Sequence, residues 1–214
     1  NRIASGGRHA SDLSKMEPVQ LGSASRAFPG SDCCGDQVGQ WIRDSLATLC
    51  VVDGLGHGPE AESAAKAVLT YLDQNPHTSL ESLFAGADEA VRNTRGAALG
   101  LVLVNSKEMS LTHAGVGNTR ALLLKQGNPA PKILSSTYGI VGAGYRKLRP
   151  ETASFAPGDL LLLYTDGLPE YLDTTVLARS SNRHPEEIAE QTLQRWALGT
   201  DDAAVLVARM ESLG

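Results

Sequence analysis

The chain has 214 residues, 42% of them apolar and 20% charged, with a formal net charge of −5. That balance suits a soluble globular unit able to bury its own core, and it excludes a fibrous or low-complexity protein. Its acidity, with no basic arm and no basic aromatic patch, argues against nucleic acid as a partner.

The longest apolar runs, at 160–163 and 203–208, fall far short of the ~20 residues a membrane-spanning helix needs, so no membrane partner is expected. Cys33 and Cys34 are adjacent and Cys50 lies inside an apolar run, which gives neither a disulfide framework nor a zinc spacing. A reducing cytoplasm is the expected compartment. The chain starts without an initiator Met or a basic-then-apolar leader, as a domain of a longer protein also would.

Residues 1–16 are polar and read as a flexible lead-in or linker, leaving 17–214 as a single domain. Weak alternation over 19–28 predicts an edge strand, ended by Pro29-Gly30. Residues 40–43 and 46–52 predict two strands joined at Asp44-Ser45, the second so apolar that it belongs in the middle of a sheet. After a glycine-rich turn, Pro59 suits a helix N-terminus, and Ala64, Ala65, Val68, Leu69 and Leu72 form its apolar stripe.

Leu80, Leu83, Phe84, Ala87, Ala90 and Val91 predict a second helix over 79–94. Three antiparallel strands follow at 96–104, 109–114 and 119–125. The proline- and glycine-broken stretch 126–158 reads as irregular, with short apolar pieces at 132–134 and 139–141. A strand at 160–165, a helix at 184–198 and a strand at 203–209 complete the chain. Helices that cluster rather than alternate with every strand favour an α+β fold of antiparallel layers over a doubly wound parallel sheet.

Three acidic residues stand at the ends of apolar strands: Asp53 and Asp166 close two of them and Asp201 opens a third. Antiparallel neighbours can bring all three to one rim, where the carboxylates would repel unless cations compensate them. Oxygen-only ligands point to Mg²⁺ or Mn²⁺ rather than zinc.

The set Cys34-Gly35-Asp36, Val52-Asp53-Gly54-Leu55-Gly56-His57-Gly58, Gly115-Val116-Gly117-Asn118, Tyr164-Thr165-Asp166-Gly167 and Asp201-Asp202 resembles the metal-dependent protein phosphatases, in their bacterial SpoIIE-like branch. The likeness runs over 17–210, and Asn93-Thr94-Arg95-Gly96-Ala97 is similar to the RsbX-like subtype of stress signalling. It implies a four-layer α-β-β-α sandwich, with two central, mainly antiparallel sheets flanked by helices. It also implies two Mn²⁺ or Mg²⁺ ions: Asp53 bridging both, the Gly54 carbonyl on one, Asp166 and Asp201 on the other, and Asp36 binding directly or through water.

The implied reaction is hydrolysis of phosphoserine or phosphothreonine on a bacterial regulatory protein by a metal-activated bridging water, with no phosphoenzyme. A STAS-domain anti-sigma antagonist or a stressosome component is the implied partner, with Asp36, Asp53 and His57 as catalytic candidates. By the period of two along a strand, Asp202 faces away from Asp201 and pairs elsewhere. The helix at Pro59 is a candidate switch.

The chain departs from the family pattern in three places. Leu55 stands where eukaryotic members carry histidine, and His57, two residues on, becomes the candidate proton donor. Ala203-Ala204 replace a threonine that many relatives place after the acidic pair. No arginine near the first strands matches a phosphate clamp, Arg26 and Arg43 being nearest, so the ions and the helix N-terminus are expected to receive the phosphate.

Nucleotide-binding loops and a serine-hydrolase elbow are excluded by spacing. The rival reading is a catalytically weak or silent phosphatase fold acting as a regulatory binding module.

Overall fold

A computed structural model describes residues 19–128 and 130–211; the expected lead-in at 1–16 lies outside them. Twelve strands and four helices follow in the order β1 (Val19–Arg26), β2 (Asp36–Arg43), β3 (Leu46–Gly54), α1 (Pro59–Gln74), α2 (Leu80–Ala90), β4 (Ala97–Asn105), β5 (Ser110–Val116), β6 (Arg120–Leu124), β7 (Lys132–Leu134), β8 (Gly139–Ile140), β9 (Gly144–Tyr145), β10 (Glu151–Ser154), β11 (Leu160–Tyr164), α3 (Thr174–Arg179), α4 (Pro185–Trp196) and β12 (Ala203–Met210). One five-stranded sheet runs β1-β12-β11-β6-β7 and a second runs β10-β5-β4-β3-β2. Every pairing within them is antiparallel.

The all-apolar strands explain the layering, since such a strand must be covered on both faces. In β3, Leu49 and Val51 point between the sheets, where they meet Leu161, Leu163 and Leu206, while Cys50 and Val52 point outward to Ala65, Val68 and Phe84 of α1 and α2. In β11, Leu161 and Leu163 face the other sheet, while Leu160, Leu162 and Tyr164 face Leu177, Ile188 and Ala189 of α3 and α4. The result is the four-layer α-β-β-α sandwich.

Helix α1 starts at Pro59 with Glu60 and Glu62 in its first turn, and Ala61, Ala64 and Ala65 let its backbone lie close to the sheet. The Ser79 hydroxyl caps α2 by accepting from the Ser82 amide at 3.2 Å. His184 caps α4 with Nδ1, accepting from the Glu186 amide at 3.3 Å.

Some boundaries differ from expectation. The first strand ends at Arg26 rather than 28, and the second begins at Asp36 rather than 40. Helix α2 stops at Ala90 instead of running to 94, because Thr94 bonds the Val91 carbonyl at 2.8 Å and Gly96 takes φ 85°. The stretch 126–158 holds four short strands, two of which extend the main sheets, and α3 had no clear periodic signal.

Candidate active site

The antiparallel register sets Asp36, the first residue of β2, directly opposite Asp53 near the end of β3, with Ala98 of β4 on the far side of Asp53. Asp166 follows β11 and Asp201 precedes β12, whose ends are adjacent in the other sheet. Four of the sequence candidates thus gather where corresponding ends of both sheets meet. Gly54 ends β3, next to Asp53.

The electrostatics of the four are those of crowded anions. Burial first, then the charges of Asp202, Asp166 and Asp201, pushes Asp36 up to about 7, against a nearby Thr165 hydroxyl that favours ionisation. Burial and the charges of Asp36 and Asp166 push Asp53 up to about 8, with the Asn118 amide pulling the other way. Asp201 is raised by burial and by Asp166 and Asp202, and His57 partly offsets this.

Asp36 is 3% exposed, and its Oδ2 is buried without a hydrogen-bond partner. A buried, unpartnered carboxylate oxygen is costly unless something else satisfies it. Among the described residues no three His, Cys, Asp or Glu side chains close into a tight ligand cage, so the acidic group is an open rim. Its donors are all oxygen and its charges uncompensated, which fits a hard divalent cation.

Other groups hold this rim in shape. Asn118, at the turn between β5 and β6, donates Nδ2 to Asp166 Oδ2 at 2.6 Å and also lies against Asp53. Thr165 Oγ1 accepts from the Ala204 amide at 2.9 Å, tying the end of β11 to β12. Ala203 and Ala204 offer no hydroxyl; Thr165, just past the end of the neighbouring strand, does.

Asp202 is 1% exposed and takes no place on the rim. Its Oδ1 accepts from the Phe28 amide at 2.6 Å and its Oδ2 from the Gly35 amide at 2.7 Å. The Gly35 carbonyl in turn accepts from the Gly54 amide at 3.1 Å, so the one side chain just before β12 fixes the loop that delivers Asp36. The expectation that Asp202 pairs away from Asp201 agrees with this arrangement.

Gly54 is required by close approach. A Cβ there would sit 2.0 Å from the Ala61 carbonyl oxygen, and one at Gly35 would sit 2.7 Å from the Ala61 methyl. The first turn of α1 thus rests on both acidic loops. His57 is exposed and its ring stacks on Phe28 with centroids 5.8 Å apart, within electrostatic reach of Asp201.

Arg26 donates Nη2 to the Leu198 carbonyl at 2.8 Å, and Arg43 sits at the opposite end of β2 from Asp36. Neither Cys34 nor Cys50 is a nucleophile in waiting, because burial pushes Cys34 up to about 11 and Cys50 up to about 12. A cavity of about 430 Å³ lined by Leu177, Ile188, Thr192, Arg195 and Trp196 lies elsewhere, between α3 and α4.

Sequence reasoning assigned no role to Asn118 or Thr165, although both belong to the motifs quoted above. The available signal was position: one ends the β5–β6 turn and the other immediately precedes Asp166.

Comparison with known proteins agrees with this fold. The family described as Stage II sporulation protein E (SpoIIE) matches residues 44–211. The phosphoserine phosphatase RsbX of Bacillus subtilis (strain 168) is 27% identical over 144 residues, covering 65% of this chain and 69% of that protein.

A chain solved in work on the bacterial stressosome, described as a modular system adapted to control secondary messenger signalling, is 30% identical. It superposes with a TM-score of 0.84 over 89% of this chain and 99% of its own. RsbX crystallised with magnesium superposes with a TM-score of 0.81 at 22% identity, covering 92% and 98% of the two chains, a likeness of fold. The chain belongs to the family described as Stage II sporulation protein E (SpoIIE). A relative whose name carries an activity, RsbX of Bacillus subtilis, is a phosphoserine phosphatase.

Proposed function

We propose that this phosphatase is divalent-metal-dependent and removes phosphate from phosphoserine or phosphothreonine of a bacterial regulatory protein, without a phosphoenzyme. The observation that carries this reading is buried Asp36 facing half-buried Asp53, with half-buried Asp166 and Asp201 beside them and with an unpartnered Asp36 oxygen. Such a group is stable at neutral pH when cations share it.

Asp53 would be shared by two Mn²⁺ or Mg²⁺ ions, the Gly54 carbonyl would hold one, and Asp166 and Asp201 the other. Asp36 would bind directly or through water. Two bound divalent ions supply an acidified water and neutralise phosphoryl charge. The protein's own part is orientation: Asn118 fixes the Asp166 carboxylate, Thr165 supports Asp36, and Asp202 holds the 28–35 loop so that Asp36 stays opposite Asp53. His57, held against Phe28, is the proposed proton donor to the departing serine or threonine oxygen.

The relatives named above support a stress-signalling partner of the STAS-domain or stressosome kind. Free thiols at Cys33, Cys34 and Cys50 suit the cytoplasm, and no helix is long and apolar enough to cross a membrane among the described residues. Residues 17–214 are proposed as one catalytic domain.

Release of phosphate from p-nitrophenyl phosphate and a phosphoserine peptide in millimolar Mn²⁺ or Mg²⁺ tests the reading. Turnover is expected, with loss in EDTA and a fall of at least ~10³-fold, or ~4 kcal/mol of barrier, in Asp53→Asn. Absence of turnover with both ions and both substrates would leave the regulatory binding module as the better account.

A further inference from the structure

A phosphomonoester reaches this site as a dianion and meets a rim of carboxylates, so a positive side chain at the entrance has a clear electrostatic use. Among the arginines nearest the rim in sequence or space, Arg26 is engaged with Leu198 and Arg120 donates to the Leu168 carbonyl at 3.2 Å. Arg95 is different. A Cβ at Gly56 would lie 2.8 Å from Arg95 Nη1, so the guanidinium rests on the backbone of the acidic loop, three residues after Asp53. Gly56 takes φ 88°, and its lack of a side chain leaves that space open.

The backbone beneath Arg95 is fixed to the same loop. The Leu55 amide donates to the Gly96 carbonyl at 3.0 Å, and Thr94 Oγ1 accepts from the Gly96 amide at 3.0 Å. The guanidinium pairs with Glu60, in the first turn of α1, and the two side chains are 54% and 67% exposed. An ion pair so exposed is worth only about 0–1 kcal/mol. A guanidinium carries five N–H donors in a fork that matches phosphate, and Glu60 can occupy only some of them.

We propose that Arg95 binds the phosphoryl oxygens of the incoming substrate, taking them in exchange for Glu60, which holds the guanidinium over the loop until then. This rests on the phosphatase reading above. Arg95 is a substrate-binding residue supplied from the turn between α2 and β4 rather than from the first strands. Glu60 is both its positioning partner and the substrate's competitor.

The test is steady-state kinetics on p-nitrophenyl phosphate and on a phosphoserine peptide in Mn²⁺, together with binding of inorganic phosphate read as a thermal shift. Circular dichroism confirms that each variant is folded. Arg95→Ala is expected to raise KM ~10–100-fold on both substrates, with a smaller change in kcat, and Arg95→Lys to recover part of the loss. Glu60→Gln is expected to lower KM by ~2–5-fold, because a weak competitor has gone.

Phosphate binding should weaken in Arg95→Ala and tighten in Glu60→Gln. Equal directions for the two variants would mean that the pair only secures α1, and would overturn the proposal. A KM effect confined to the peptide would also overturn it, since the guanidinium would then be reading a flanking group. The phosphate-binding arm needs no turnover, so an inactive wild type would sink the proposed reaction while this arm still decides the role of Arg95.

Discussion

Strand β11 has a buried carboxylate just before it and an acidic rim just after it, and the chain treats the two ends in opposite ways. Asp159, 2% exposed, accepts from the Gln126 amide at 2.9 Å and the Ala156 amide at 2.8 Å and pairs with Lys125. At the other end, Asp36 is equally buried, faces Asp53, and keeps one oxygen without a partner. One end spends its carboxylate on the fold, and the other holds carboxylates in a state that favours a ligand. A buried anion that the protein itself satisfies is architecture, whereas one it leaves unsatisfied marks chemistry.

The sharpest way to break that contrast is a pair of substitutions. Asp159→Ala removes the carboxylate that pairs with Lys125 and leaves two amides without their acceptor, and is expected to cost about 2–4 kcal/mol in urea unfolding while turnover per folded molecule is kept. Asp36→Asn, measured in EDTA at pH 8, is expected to raise the unfolding midpoint while lowering turnover. If Asp36→Asn destabilised the metal-free protein as Asp159→Ala does, the two ends would not differ in kind.

A smaller effect is expected at Asn118, which reaches both Asp166 and Asp53. Asn118→Ala should lower kcat/KM by ~10–100-fold, as loss of a group orienting metal ligands does, and leave stability within about 1 kcal/mol. Kinetics and melting on one preparation separate the two. A stability loss matching the activity loss would move Asn118 to the architectural side.

A further effect is expected in the pH dependence of stability. In metal-free protein Asp36 and Asp53 keep their protons up to about 7 and about 8, far above their unfolded range. The folded state therefore binds more protons from about pH 4 upward, and unfolding free energy falls as pH rises through about 8. Saturating Mg²⁺ should flatten this fall, because the cation favours ionised carboxylates.

Buried His113 acts in the opposite sense, held down at about 4 by burial despite the Glu151 charge. Its contribution is intact above about pH 6.5 and is lost as pH drops toward 4. Urea midpoints at pH 5, 6.5 and 8, with EDTA and with Mg²⁺, test both. A rise from pH 6.5 to 8 in EDTA would contradict the crowded-anion account of the rim.

What the sequence made legible follows from locality. Residues 160–163 and 203–208 are apolar at every position because helices and a second sheet cover both faces, so the strands and the layered fold could be read directly. Asp53, Asp166 and Asp201 could be picked out because each stands at the end of such a run.

The facing of Asp36 and Asp53 was harder to see, since register is a relation between two segments. Asn118 reaches a carboxylate 48 positions away, and Asp202 reaches amides 167 and 174 positions away, contacts that no local pattern encodes. Strands β7 to β10 hold two to four residues each, too few for a period of two to register.

The hairpin joining β2 to β3 sets a measure for the whole site. Arg43 pairs with Leu46 across a two-residue turn in which Asp44 takes φ 54°, and seven pairs later Asp36 arrives opposite Asp53. At about 3.4 Å per residue the turn lies roughly 24 Å from the carboxylates it aligns. A slip of one place there would turn each side chain of the slipped strand to the opposite face. The acidic rim is therefore calibrated from the far end of the sheet, and a register slip begun at that remote turn would misplace Asp36 against Asp53 along with the core side chains of the same strand.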